Sequence, residues 1–199
     1  MNFRVTKDRG PKRIFGERGS AAVEAALVTP LVMALLFGII EMGFLFKDYL
    51  AVAGAVRAGV RIASASPRTP TFAQVAADQV ADLGGAMSFS SVQQLWVYQA
   101  NPANNFPLTY SDFSGCTVCV KFSWNASTRA FVPISGSDNW SYLTQNACSA
   151  LSAGGPPDRI GVYLLLKHQS FTKLIFSSIN IADASVLSLE PMPVLEVCK

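Results

Sequence analysis

The chain has a single histidine, His168, and none of the residue spacings through which histidine, serine or glycine usually carry catalysis. No G-x-S-x-G elbow, phosphate-binding glycine loop, H-E-x-x-H helix or dinucleotide-binding glycine pattern occurs in its 199 residues. An activated nucleophile, a helix-borne metal pair and a phosphate cradle thus all lack their usual carriers. The sequence does not indicate an enzyme and implies no cofactor. His168 closes an apolar run, "RIGVYLLLKH", and reads as a polar residue at a strand end, while Asp158 after "GGPP" reads as a turn residue.

Charge is scarce as well, at 15% of residues against 50% hydrophobic, and the net +3 is unevenly spread. Residues 1–18 hold Arg4, Lys7, Arg9, Lys12, Arg13 and Arg18 against Asp8 and Glu17, which leaves 10 basic and 11 acidic residues for the rest. A nearly neutral remainder offers no footprint for nucleic acid. The tail itself has only Phe3 and Phe15 as aromatics, too few for a stacking pattern, so no nucleic-acid partner is expected. Beside an apolar run, a basic tail reads instead as the cytoplasmic flank of a membrane helix.

Cysteine is missing from the tail and from the apolar run; Cys116, Cys119, Cys148 and Cys198 all follow later. That distribution fits two disulfides in an oxidising compartment. If "CTVCVKFSW" is a strand throughout, Cys116 and Cys119 point to opposite faces, which disfavours a bond between them. Each is then expected to pair with Cys148 or Cys198, in either order. A zinc site would need a second close ligand pair, and a thiol redox site a helix beginning at C-x-x-C; neither is evident.

What the chain does have is a long apolar run. Between Ala25 and Phe46 the only charged residue is Glu41, and a helix of this length spans about 33 Å, enough for the hydrocarbon core of a bilayer. The run is longer than the core of a cleaved secretory signal, so it reads as a transmembrane helix in contact with membrane lipid. Pro30 is expected to kink it, with Thr29 helping to satisfy freed backbone groups. With the basic tail kept in the cytoplasm, everything after Lys47 lies on the far side.

Beyond Lys47, Tyr49, Val52, Val56, Val60 and Ala63 continue a helical stripe, with Arg57, Arg61 and Ser64 on another face, until Ser66 and Pro67. The organisation is therefore a basic cytoplasmic leader over 1–19, a transmembrane and stalk helix over 20–65, and an exported α+β domain over 66–199. In that domain Phe72–Leu83 reads as a short helix, with Thr71 to cap it and Gly84-Gly85 to end it. Period-two patterns in "SVQQLWVYQA", "CTVCVKFSW", "RAFVPI", "RIGVYLLLKH" and "ASVLSLEP" predict a four- to five-stranded antiparallel sheet. "NAST" predicts a hairpin, the long stretch from "SGSDNW" to "GGPPD" an irregular excursion over the sheet, and "SFTKLIFSSINIADAS" a connection between the last two strands.

Glu24 opens the apolar run, five residues after Gly19. The order of basic tail, Gly19, four small or apolar residues, Glu24 and a long apolar helix resembles the class III signal of type IV pilins and pseudopilins. Narrower features, Val23-Glu24, Pro30, Gly38 and Glu41-Met42-Gly43, with the closing "ASVLSLEP", resemble the TadE-like family of the tight-adherence, or Flp pilus, assembly system. Ala25 departs from the aromatic residue that relatives commonly carry there. The resemblance implies cleavage after Gly19 by a prepilin peptidase, leaving Ser20 as the new N-terminus with an ammonium able to pair with Glu24 of the same or an adjacent subunit. It also implies Pro30 and Glu41 as intramembrane helix contacts, with other pilins or pseudopilins and the pilus assembly platform as partners. The location implied is the bacterial inner membrane, crossed once, with the C-terminal domain periplasmic and possible association with the pilus, hence adhesion and biofilm formation. The competing expectation is an uncleaved, single-pass anchored binding or scaffold protein.

Overall fold

The residues after the long N-terminal helix build an antiparallel sheet because β-branched and aromatic side chains are frequent in its strands, and successive side chains point to opposite faces. The computed structural model describes residues 16–85, 87–148, 155–173 and 176–192. Their elements run α1 (Gly16–Ser64), α2 (Phe72–Leu83), β1 (Val92–Ala100), β2 (Cys119–Asn125), β3 (Ala130–Pro133), β4 (Arg159–Gln169) and β5 (Ser178–Ser188). The fold is α+β, and the sheet order is β3-β2-β1-β4-β5 with every pairing antiparallel. The chain divides into two units, 1–41 and 42–199, with α1 running from the first into the second.

In the first unit α1 exposes Val23, Leu27, Leu31, Leu35 and Ile39, and it continues through Pro30. It contains the one helix segment, Gly19–Ser64, that among the described residues is long and apolar enough to cross a membrane.

In the second unit the rest of α1 is a core element. Val52, Ala55, Val56, Val60 and Ala63 recur at helical spacing and are fully buried or nearly so. They join Phe72, Ala76, Ala77 and Val80 of α2 over the face formed by Leu95, Val97, Val120, Phe122, Ile160, Val162, Leu164 and Leu166. Gly59 lets the helices approach: a Cβ there would come within 2.8 Å of Val80 and 3.1 Å of the Ala76 carbonyl oxygen. Trp140, from the long connection between β3 and β4, packs edge-on to Phe72 at 5.2 Å, so this irregular segment does lie over the core.

The opposite face carries a smaller aromatic cluster, Trp96, Tyr98 and Tyr163, covered by Phe113 from the β1–β2 connection. Phe113 stacks on Tyr163 at 4.0 Å. Tyr98 donates its hydroxyl to the Asn105 carbonyl at 3.0 Å, and burial pushes its phenol well above the ordinary range. Beneath it a Cβ on Gly161 would come within 2.3 Å of the ring, so glycine is required by space alone.

Three local expectations are corrected. Strand β5 begins at Ser178, inside the segment read as a connection, and pairs with β4 along its length from Gln169↔Ser178 to Arg159↔Ser188. Thr71 stands at the α2 N-terminus without making a side-chain cap hydrogen bond. Cys116 and Cys119 are disulfide-bonded to each other, with Cα atoms 6.1 Å apart. The strand starts only at Cys119, so the alternation that would have separated the two side chains does not reach Cys116. Cys148 is disulfide-bonded too, while Cys198 lies outside the described residues, as do residues 1–15 of the basic leader.

Candidate functional site

The sequence-predicted site residues Gly19, Ser20 and Glu24 all lie in the opening turns of α1. Glycine is normally fixed by a left-handed backbone or by a close neighbour. Neither holds at Gly19: among the described residues only Gly136 and Gly155 are glycines of positive φ, and a Cβ on Gly19 would meet nothing within 4 Å. The fold therefore gives no reason for glycine here, and a helical glycine costs about 1 kcal/mol relative to alanine.

Glu24 is exposed. Along a helix it stands about 140° around the axis from Gly19 but only about 40° from Ser20, one turn away. Positions four apart are neighbours on the helix surface. A positive charge placed on Ser20 would thus share a face with the Glu24 carboxylate, whereas Gly19 is on another side.

Farther along α1, Pro30 is exposed and Glu41 is 2% exposed. A carboxylate in the apolar run is costly unless it is partnered, by about 2.5–3.5 kcal/mol on insertion scales, and Glu41 is not without a partner.

A polar pair missed at the sequence level lies just past Lys47. His168 at the end of β4 donates from Nδ1 to Asp48 Oδ2 on α1 at 2.7 Å, since an ionised carboxylate can only accept. His168 is 5% exposed, and its Nε2 has no hydrogen-bond partner among the described residues. The signal was available: 160, 162, 164, 166 and 168 share one strand face, and the first four are apolar and buried. His168 in that phase had to face the core, so it is more than a polar strand end. Asp158 is not in a turn: it stands just before β4 and accepts from the Asn146 backbone N–H, twelve residues earlier in the chain, at 2.9 Å.

Among the described residues no cluster of histidine, cysteine, aspartate and glutamate has the makings of a metal site. The structure brings Gly19, Ser20 and Glu24 onto one short stretch of helix, and the disulfide of Cys116 and Cys119 ties the end of the β1–β2 connection to the first residue of β2.

Residues 19–61 match the family model described as TadE-like protein. No curated protein and no solved structure matches the chain. The matched segment starts at Gly19 and ends within α1, so it covers the apolar run and most of the helix beyond it.

Proposed function

We propose that the chain, whose residues 19–61 match the TadE-like family model and include a helix long and apolar enough to cross a membrane, is a membrane-anchored protein related to Tad-type pili that acts as a minor pilin or pseudopilin. Its role is structural: assembly, with α1 as the element that joins neighbouring pilin-like helices and the assembly platform. A prepilin peptidase cuts after Gly19 on the cytoplasmic side of the inner membrane, and the domain after Lys47 lies outside.

The observation that carries the reading is Gly19 itself. It stands in a helix with no conformational or packing demand for glycine, and five residues later the run's first carboxylate appears. A peptidase that must bring the scissile bond into its active site does supply such a demand, because a side chain at that position would crowd it. Cleavage creates an ammonium on Ser20, on the same helix face as Glu24. Pairing the two offsets the cost of holding either charge at the edge of lipid, and pairing across subunits would set the stagger between helices.

The test is the mature N-terminus. Protein recovered from cells with a prepilin peptidase is expected to begin at Ser20, and from cells without it at the original start. Protein that keeps its leader in peptidase-competent cells overturns the reading in favour of an uncleaved anchored scaffold.

A further inference from the structure

Three features of the unit 42–199 fall at one end of its sheet. The hydrogen bond between Asp48 and His168 ties the end of β4 to the helix residue next to Lys47. A groove of about 350 Å³ lies between Leu45, Phe46 and Tyr49 of α1 and Ile179 and Ile181 of β5. The end of the β4–β5 hairpin therefore lies alongside the last apolar turn of the span. Just after β4 stands Phe171, 82% exposed, the highest value among the large apolar side chains of the described residues. The segment is organised by its own bonds: Lys173 N donates to Ser170 Oγ at 2.8 Å, and Ser170 N to the Ser177 carbonyl at 3.1 Å.

The charges around this end are of one sign. Lys47, Lys167 and Lys173 are exposed, while the carboxylate beside them, Asp48, is engaged by His168. An exposed phenylalanine ringed by lysines, next to the point where a helix leaves hydrocarbon, has the chemistry of a bilayer interface: the ring at the headgroup–acyl boundary, the ammonium groups on phosphate.

We propose that the residues just after β4 make a second membrane contact, in which Phe171 seats in the interface of the bilayer crossed by α1 and Lys47, Lys167 and Lys173 bind anionic phospholipid. One aromatic ring and three lysines would hold a free protein only weakly. Here α1 keeps these residues at the surface, so the contact is intramolecular in effect and a modest affinity suffices. The domain is then held in one attitude on the bilayer instead of swinging on its stalk. This rests on the reading of α1 as a membrane span.

The experiment uses the full chain reconstituted in phosphatidylcholine vesicles with and without phosphatidylglycerol. A photoreactive benzoyl-phenylalanine replaces Phe171 or, as a control, Leu143, which is 60% exposed and precedes Gln145, the residue that binds Arg68 beyond the far end of α1. Lipid adducts at 171 are expected to exceed those at 143 by about tenfold, the occupancy that burial of one phenylalanine supports. They should fall severalfold with Lys167→Glu and Lys173→Glu combined, or when phosphatidylglycerol is left out. Adducts at 171 that join two copies of the protein, or equal lipid yields at both positions, overturn the proposal in favour of a subunit contact or an open surface. Flotation separates the two failures. A chain that does not float with the vesicles removes the span and this contact with it, whereas one that floats without a lipid adduct at 171 overturns the contact alone.

Discussion

Before Glu41, α1 presents large apolar side chains such as Leu27, Leu31, Leu35 and Ile39 to its surroundings; after Tyr49 it buries small and β-branched ones, Val52, Ala55, Val56, Val60 and Ala63, and turns Arg57 and Arg61 outward. The two stretches share one backbone helix and answer to different surroundings. Lipid asks only for length and apolarity, so its stretch needs no stripe. A folded core asks for a stripe of matching shape, down to a glycine where another helix comes close. The proposed processing and assembly rest on the first stretch, and the stability of the domain that follows rests on the second.

The largest effect that would break this division is all-or-none. Gly19→Leu is expected to abolish the mature form on a blot while leaving the circular dichroism spectrum of the domain unchanged, because nothing in the fold lies near that position. A loss of folding in this variant would mean that the first stretch is also a structural element. Next, Leu164→Ala, in the sheet face under α1, should lower stability by about 2–5 kcal/mol. Leu36→Ala, in the apolar run, should stay within about 0.5 kcal/mol. Thermal unfolding of both variants in the same detergent reads the contrast.

Asp48→Ala probes the point where one stretch gives way to the other. It leaves His168 Nδ1 buried without an acceptor and should cost about 1–3 kcal/mol in denaturant unfolding. Asp48→Asn, which keeps an acceptor oxygen, should cost less. The smallest test compares two glycines of α1. Gly54→Ala meets nothing within 4 Å and should add about 0.5–1 kcal/mol of stability through helix propensity. Gly59→Ala should forfeit that gain, since its Cβ would press on Val80 and the Ala76 carbonyl. Equal shifts in the two melting temperatures would refute the close helix crossing.

How much of this was legible in the sequence follows from how local each cause is. The apolar run, the stripe after Tyr49, the short helix at Phe72 and four of the five strands each carry their own periodicity, and the structure has them. The first part of β5 did not read as strand because Asn180 and Asp183 interrupt its apolar pattern. An edge strand tolerates them, since its pairing to β4 comes from a neighbour distant from it in hydrophobic pattern. The Cys116–Cys119 bond was misjudged by extending a strand three residues too far, where a loop sets the geometry. Within the proposed processing site, Gly19 and Glu24 were legible as spacing, but the absence of any structural demand for Gly19 showed only in the folded helix. The Asp48–His168 pair joins residues far apart in sequence, and only the phase of His168 with the buried side of β4 hinted at it.

The strand order has a consequence for biogenesis. Interior strand β4 leaves the ribosome after α1, α2 and β1 to β3, yet it is the partner of β1 and part of the floor on which α1 rests. Until it arrives, β1 has one open edge and the stripe from Val52 to Ala63 lacks much of its cover. Closure must therefore wait for a strand about a hundred residues after the stripe it covers, a high-contact-order event with sticky surface on display in the meantime. A chain in that condition is exposed to aggregation, and its vulnerable window ends when Arg159–Gln169 slots in beside Val92–Ala100.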